Sequence, residues 1–383
     1  MGTIKEFNYL MPTKIVFGVN SINAIGSLAA NFGGKAVLVT GKSSAKKFGY
    51  SQKVTDLLKE NKIETVLFDE VTSNPDAAII DKGAAFAREK NCKFVIGLGG
   101  GSAIDAAKGI AVGVAENDNI WNYVEGKPVQ KSLPIISIPT TAGTGSETTP
   151  YAVISNKKIK RKDAFASEFV FPKISIIDPS LTLSLPPFFT SVTGVDTLAH
   201  AIEAYISLQS NPISDYFAIE VIKLVNNNLR KAAVDGKNIA ARSSMSLASA
   251  LAGFAIAQAD TTIAHVIGEA IGAVYNTDHG LSVSIVLPVV MDYICASNFE
   301  KFANIADLLG EEISGLSLRD AALKAGDSLR KLVKDLKLPL NLKEIGVKEI
   351  KDIVTLALRP DLRCTTPFDL SDKDIDTIVN KSM

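Results

Sequence analysis

A chain of 383 residues, 46% hydrophobic and 21% charged, can bury at least one sizeable core, and at about 100–200 residues per domain it predicts two. Lysine plus arginine balance aspartate plus glutamate at 41 each, so no excess of positive charge draws it to nucleic acid or an acidic membrane surface. Three scattered cysteines, Cys92, Cys295 and Cys364, argue against a zinc ribbon, a CxxC redox motif or a secreted disulfide framework and fit a reducing cytoplasm.

Residues 1–9 carry Lys5 and Glu6 and no apolar run long enough for a signal peptide, so export is not expected. From residue 35 short β-branched runs alternate with longer amphipathic stretches. The order is KAVLVTG, Ser44 to Asn61, ETVLFDEV, Pro75 to Asn91, FVIGLGGG and Ser102 to Val114, followed by a strand PIISIPTT ending at Thr141. Repeated βα units with apolar strands predict a parallel sheet covered on both faces, a Rossmann-like doubly wound α/β domain.

After about residue 183 the character changes. LSLPPFFTSVTGVD contains a pair of prolines and leads into helix-period segments such as Asp196 to Ser207 and Ser214 to Leu229. The expected domains are therefore an α/β nucleotide-binding domain over 1–183 and an all-α metal-binding domain over 184–383. A crevice between two such domains is a common meeting place for cofactor and substrate. The uncharged stretch Ser243 to Ala259 is rich in alanine and interrupted by serines and Gln258, so it reads as a buried helix and not as a span of about 20 strongly apolar residues. No membrane association is expected.

Three turns carry candidate cofactor residues. Gly99, Gly100, Gly101 and Ser102 follow an apolar strand and open a helix containing Asp105 and Lys108. Successive glycines let backbone N–H groups approach a pyrophosphate, and the helix N-terminus adds partial positive charge. The GxGxxG fingerprint is incomplete, and a plain tight turn would also use glycine here. A second turn, PTTAGTGSE, offers the hydroxyls of Thr140, Thr141 and Thr144, which could equally be ordinary turn and N-cap residues. In the first turn, Gly41, Lys42, Ser43 and Ser44 stand where an NAD-binding strand end often supplies a carboxylate. A cation, two hydroxyls and a following helix suit a 2′-phosphate, so NADP(H) is the preferred cofactor, with NAD(H) as the alternative.

The only histidines are His200, His265 and His279. In VDTLAHAIEAY, Asp196 and His200 are spaced to project from one helix face as a two-ligand clamp. His265 lies in a second helical stretch, and His279 sits at a turn just before Gly280. One carboxylate and three imidazoles suit a divalent transition metal such as Fe2+ or Zn2+. Asp278 and Glu269 are neighbouring carboxylates in reserve.

These stretches together resemble the iron-containing, or group III, alcohol dehydrogenase family, from MPTKIVFG to about residue 290: GGGSAIDAAK, PTTAGTGSE, TGVDTLAHAIEAY, and AH followed by DHG. The resemblance implies the dehydroquinate synthase-like combination of a Rossmann-like and a helical domain. It also implies a metal at the interdomain cleft held by Asp196, His200, His265 and His279, a nicotinamide cofactor and a small alcohol or aldehyde as substrate. A homodimer or larger homo-oligomer is implied too. It maps nucleotide contacts to Gly41–Ser44, Asn74, Gly99–Ser102, Asp105, the threonines of PTTAGT and Lys162. Relatives with Asp at the position of Gly41 contrast with TGKSS-like turns, which look like those of NADP users. Many members carry a further histidine one turn after the residue matching His265, where this chain has Glu269, a candidate proton relay or alternatively a residue that only reshapes the pocket, the proton then passing through metal-bound water and the cofactor ribose hydroxyl. A dehydroquinate synthase-type lyase and a non-catalytic nucleotide-binding protein are the rival readings.

Overall fold

The computed structural model describes residues 6–358 and 363–383. The chain divides into two units, one over Met11–Leu185 and one over residues 6–10 and 186–383. The break comes at Leu185/Pro186, and the N-terminal segment groups with the helical unit, where Leu10 exchanges backbone hydrogen bonds with the Gln258 side chain.

The first unit runs β1 (Lys14–Phe17), α1 (Ile25–Ala29), β2 (Lys35–Gly41), α2 (Ser44–Lys47), α3 (Tyr50–Glu60), β3 (Glu64–Val71), α4 (Ala77–Glu89), β4 (Phe94–Gly99), α5 (Gly101–Glu116), α6 (Ile120–Val124), β5 (Ile135–Pro139), β6 (Tyr151–Asn156), β7 (Arg161–Ala166) and β8 (Ile174–Ile177). Six strands form one sheet in the order β1-β8-β5-β4-β2-β3, every pair parallel. Alternation along β2 explains why both faces are covered. Ala36 and Leu38 join one core with Ile25, Leu58 and Ile96, while Val37 and Val39 join another with Ile80, Val95 and Ile110.

The order in which strands are added reverses between β2 and β4, the switch point where open α/β sheets bind ligands beyond the strand C-termini. The three glycine- and hydroxyl-rich turns all lie at such ends, those of β2, β4 and β5. Two local features differ from the sequence reading. The helix expected over Ser44 to Asn61 is broken into α2 and α3 at Gly49, whose φ of 74° no β-carbon residue adopts easily. The strand expected to reach Thr141 stops at Pro139, and β6 and β7 form an antiparallel hairpin that the βα rhythm did not signal.

The second unit is helical among its described residues: α7 (Pro187–Ile206), α8 (Pro212–Val234), α9 (Ile239–Ala259), α10 (Ile263–Tyr275), α11 (His279–Ile294), α12 (Phe299–Leu308), α13 (Leu318–Asp335), α14 (Lys351–Ala357) and α15 (Asp372–Lys381). Pro187 opens α7 at a position where its missing N–H costs nothing, and Asn211 closes a capping box that starts α8. α9 and the helical run His279–Ser297, which contains α11, are long and apolar enough to cross a membrane, but most of each apolar window is buried within the protein, as expected of core helices. Gly194 lets α7 lie against α8, since a Cβ there would come within 2.2 Å of Leu229 Cδ1.

Candidate metal centre and nucleotide turns

Asp196 and His200 both lie on α7, a helix whose residues are mostly buried. His265 is in the first turn of α10, and His279 is the first residue of α11. The close approach of α11 to α7 depends on Gly280. A Cβ there would lie 2.6 Å from the Val192 carbonyl oxygen and 2.9 Å from Asp196 Cβ. Gly268 has the same function between α10 and α11, where a Cβ would meet Val283 Cγ2 at 2.6 Å.

The result is a cluster in which one donor atom from each of Asp196, His265 and His279 lies within 4.8 Å of the others. His265 Nε2 and His279 Nε2 are each 3.9 Å from Asp196 Oδ1. Atoms that share an ion at bond lengths of about 2.0–2.2 Å stand no more than about 4.4 Å apart, so the two 3.9 Å separations suit one ion. His200 sits beside the trio, its ring 4.5 Å from that of His265 at a tilt of 31°. Asp196 and His265 are almost fully buried, yet Asp196 Oδ1 and His265 Nε2 have no hydrogen-bond partner. Buried polar atoms without partners are costly, and a cation among them removes that cost. The donor set therefore fits a divalent metal.

Glu203, which the sequence reading passed over, stands behind His265. It is fully buried on α7, and one of its carboxylate oxygens, Oε2, contacts His265 Nδ1. The other, Oε1, accepts from Thr262 N at 2.9 Å, Thr262 Oγ1 at 2.5 Å and Ala264 N at 3.1 Å. Burial alone would depress the basicity of His265. The negative charges of Glu203, Asp196 and Glu269 outweigh it and push the imidazole up to about 9. The signal for Glu203 was present in the sequence: Asp196, His200 and Glu203, the acidic residues and the histidine of α7, fall on one face at helical spacing. Glu269 is half-buried, one turn beyond His265 on the same side of α10. Elsewhere in the helical unit, Tyr275 donates its hydroxyl to the Glu349 carbonyl, and Phe254 packs edge-on against Phe217.

In the α/β unit, two of the three turns are interlocked. Gly99 has φ 151°, Gly100 is the N-cap of α5, and Thr140 N donates to the Gly99 carbonyl. A Cβ on Gly100 would lie 3.3 Å from Thr141 Oγ1, and one on Gly101 would lie 2.6 Å from Thr144 Cγ2. Gly100 and Gly101 thus admit the second turn against the start of α5, while Ser102 and the three threonines remain partly exposed.

Gly41 ends β2, followed by exposed Lys42, Ser43 and Ser44 with no carboxylate among them. Glu70, near the end of neighbouring β3, is paired with Lys82 at 2.6 Å. Asn74 takes a left-handed φ of 51° just before α4, and Lys162 lies on β7. Asp105 has its two oxygens engaged inside the unit, accepting from Ser146 Oγ at 2.5 Å and Val153 N at 3.2 Å. It therefore anchors α5 to the segment after β5.

Residues 12–179 match the iron-containing alcohol dehydrogenase family, and residues 190–383 match that family's C-terminal domain. The chain belongs to the iron-containing alcohol dehydrogenases. It is 39% identical to 1,3-propanediol dehydrogenase of Klebsiella pneumoniae over 90% of each chain. It is also 35% identical to NAD-dependent methanol dehydrogenase of Bacillus methanolicus, over 91% of this chain and 92% of that one. Among solved structures, sulfoacetaldehyde reductase from Bifidobacterium kashiwanohense in complex with NAD+ superposes with a TM-score of 0.87 at 32% identity, over 99% of both chains. A 1,3-propanediol oxidoreductase superposes at 0.95 with 36% identity, over 99% of this chain and 100% of that one. Membership makes the protein an oxidoreductase of the alcohol dehydrogenase type, with a nicotinamide cofactor, a metal and small alcohol or aldehyde substrates.

Proposed function

We propose that this iron-containing alcohol dehydrogenase interconverts a small alcohol and its aldehyde with NADP(H) as preferred cofactor, NAD(H) being the alternative. Asp196, His200, His265 and His279 hold a divalent ion, Fe2+ or alternatively Zn2+. The observation that carries this reading is the convergence of Asp196 Oδ1, His265 Nε2 and His279 Nε2 from three helices, with two of those buried atoms lacking any hydrogen-bond partner. When bound, the ion supplies Lewis-acid stabilisation of the carbonyl oxygen and the nicotinamide supplies or takes up the hydride.

The remaining work falls to the chain itself. Asp196 brings negative charge, and His265 presents Nε2 because Nδ1 faces Glu203. Glu269, one turn beyond His265, relays the proton that the alcohol oxygen gains in reduction and loses in oxidation. In the α/β unit, the backbone of Gly99–Gly101 and Ser102, with Thr140, Thr141 and Thr144, cradles the pyrophosphate at the N-terminus of the sixteen-residue helix α5. Asn74, Asp105 and Lys162 belong to the same nucleotide site, Asp105 through its anchoring of α5. The carboxylate-free Gly41–Ser44 turn supports NADP(H), whereas the methanol dehydrogenase relative is NAD-dependent and the sulfoacetaldehyde reductase structure holds NAD+.

Cys92 and Cys295 are buried and unbridged, which supports a reducing cytoplasmic setting. β1 is an edge strand with Phe17 42% exposed, which supports a homo-oligomer. Replacing His265 by alanine tests the metal reading. Turnover is abolished while dinucleotide affinity stays near that of the wild type, and retained turnover in metal-depleted H265A protein contradicts it.

A further inference from the structure

Glu203 joins two tasks that are normally separate. The N-cap residue of α10, Thr262, makes no side-chain cap, so the first N–H groups of that helix need another acceptor. Glu203, arriving from α7, supplies it: Oε1 accepts from Thr262 N, Ala264 N and the Thr262 hydroxyl, and more distantly from His265 N at 3.4 Å. Ile263 N is met by Thr366 Oγ1 at 3.2 Å. With these donors converging on Oε1, the other carboxylate oxygen, Oε2, is left to face His265, and it is in contact with Nδ1, placed to accept a proton from that nitrogen. The opposite ring nitrogen, Nε2, lies 3.9 Å from Asp196 Oδ1.

We infer that Glu203 is a positioning residue for the metal site: by accepting the Nδ1 proton it fixes the tautomer and the ring orientation that turn His265 Nε2 toward Asp196 and His279. Metal-bound histidines commonly depend on such an outer carboxylate. Here the same carboxylate also fixes the start of the helix that carries the histidine, so the ligand and its backbone are set by one side chain. The inference rests on the metal reading of Asp196, His265 and His279 given above.

Glu203→Gln separates the two tasks from simple filling of space. A glutamine has one acceptor and one amide NH2. If the NH2 faces His265, the ring proton must move to Nε2; if it faces α10, N–H groups oppose one another.

The test is Zn2+ affinity of the metal-stripped full-length protein, measured by competition with a chromogenic chelator, for wild type, E203Q and H265A, with dinucleotide affinity and apo-protein melting temperature alongside. E203Q should bind Zn2+ roughly 10–100-fold more weakly than wild type, with dinucleotide affinity unchanged. E203Q that melts earlier but binds Zn2+ as tightly as wild type overturns the inference and reduces Glu203 to a helix cap. Equal Zn2+ affinity in wild type and H265A overturns the metal reading beneath it.

Should E203Q not fold, nitrogen-15 NMR of the histidines in Zn2+-loaded wild type decides. His265 coordinated through Nε2 with a retained Nδ1 proton supports the inference. Coordination through Nδ1, or an Nδ1 without a proton, overturns it.

Discussion

Gly280 abuts Asp196 so closely that a Cβ on the glycine would stand 2.9 Å from the Asp196 Cβ and 2.6 Å from the Val192 carbonyl oxygen. Backbone cannot give way as a flexible side chain can. Gly280→Ala therefore pushes the start of α11 off α7 and carries His279 away from Asp196. Overpacking of this kind costs about 1–3 kcal/mol. The expected outcome is a lower denaturation midpoint together with reduced bound metal after dialysis, read by denaturant titration and elemental analysis. An alanine variant that retains full metal content contradicts the packing role assigned to Gly280.

Much of this arrangement was legible in the chain itself. Three histidines in the whole sequence, each near a carboxylate at helical or turn spacing, pointed to a metal, and three strand-ending turns pointed to a dinucleotide. Glu203 was overlooked because its partners, Thr262, Ala264 and His265, meet it only after α7 and α10 pack. Asp105 presents the reverse case. It reads as a nucleotide-site residue beside a glycine turn, and local pattern does not show that its oxygens also accept from Ser146 and Val153. The β6–β7 hairpin escaped notice for a similar reason, since its strands, with charged residues in β7, lack the apolar run of the sheet strands.

Cofactor choice is tested at Gly41. A Cβ there would meet only the Val71 carbonyl oxygen at 3.8 Å, an ordinary contact, and the backbone needs no positive φ. Gly41→Asp should therefore fold normally and place a carboxylate where the 2′-phosphate of NADP(H) is expected, shifting the ratio of kcat/KM values toward NADH by about tenfold or more, a change of about 1.4 kcal/mol. An unchanged ratio contradicts the reading of the turn.

The phosphate cradle is tested at Gly101, where a Cβ would lie 2.6 Å from Thr144 Cγ2 and 2.7 Å from Thr144 Oγ1. Gly101→Ala forces the two turns apart. Dinucleotide binding, followed by fluorescence titration, should weaken by about tenfold or more while Zn2+ affinity is retained. Equal weakening of both would indicate general misfolding instead of a local effect.

Lys108 is fully buried and donates to the carbonyls of Thr149 at 2.9 Å and Tyr151 at 2.6 Å. Burial lowers its ammonium to about 8, against the opposing pull of Asp105 and Glu147. Lys108→Met leaves those carboxylates without their cation, and should destabilise the α/β unit by about 3 kcal/mol. The pH dependence has a defined sign. The folded value lies below the unfolded value of about 10.4, so between about pH 8 and 10.4 the unfolded state binds more protons. The stability of the wild type relative to K108M should therefore rise across that window and level off above it, as followed by urea unfolding at fixed pH values. A gap that narrows across the window contradicts the assignment.

The central claim is that Asp196, His200, His265 and His279 hold a metal on which hydride transfer depends. Its most direct test is the initial rate of NADPH and NADH oxidation with a short-chain aldehyde, using metal-stripped protein before and after Fe2+ or Zn2+ is restored. The account predicts negligible oxidation without metal, recovery on adding either ion, and no recovery in H265A. Metal-independent oxidation, or full recovery in H265A, contradicts it.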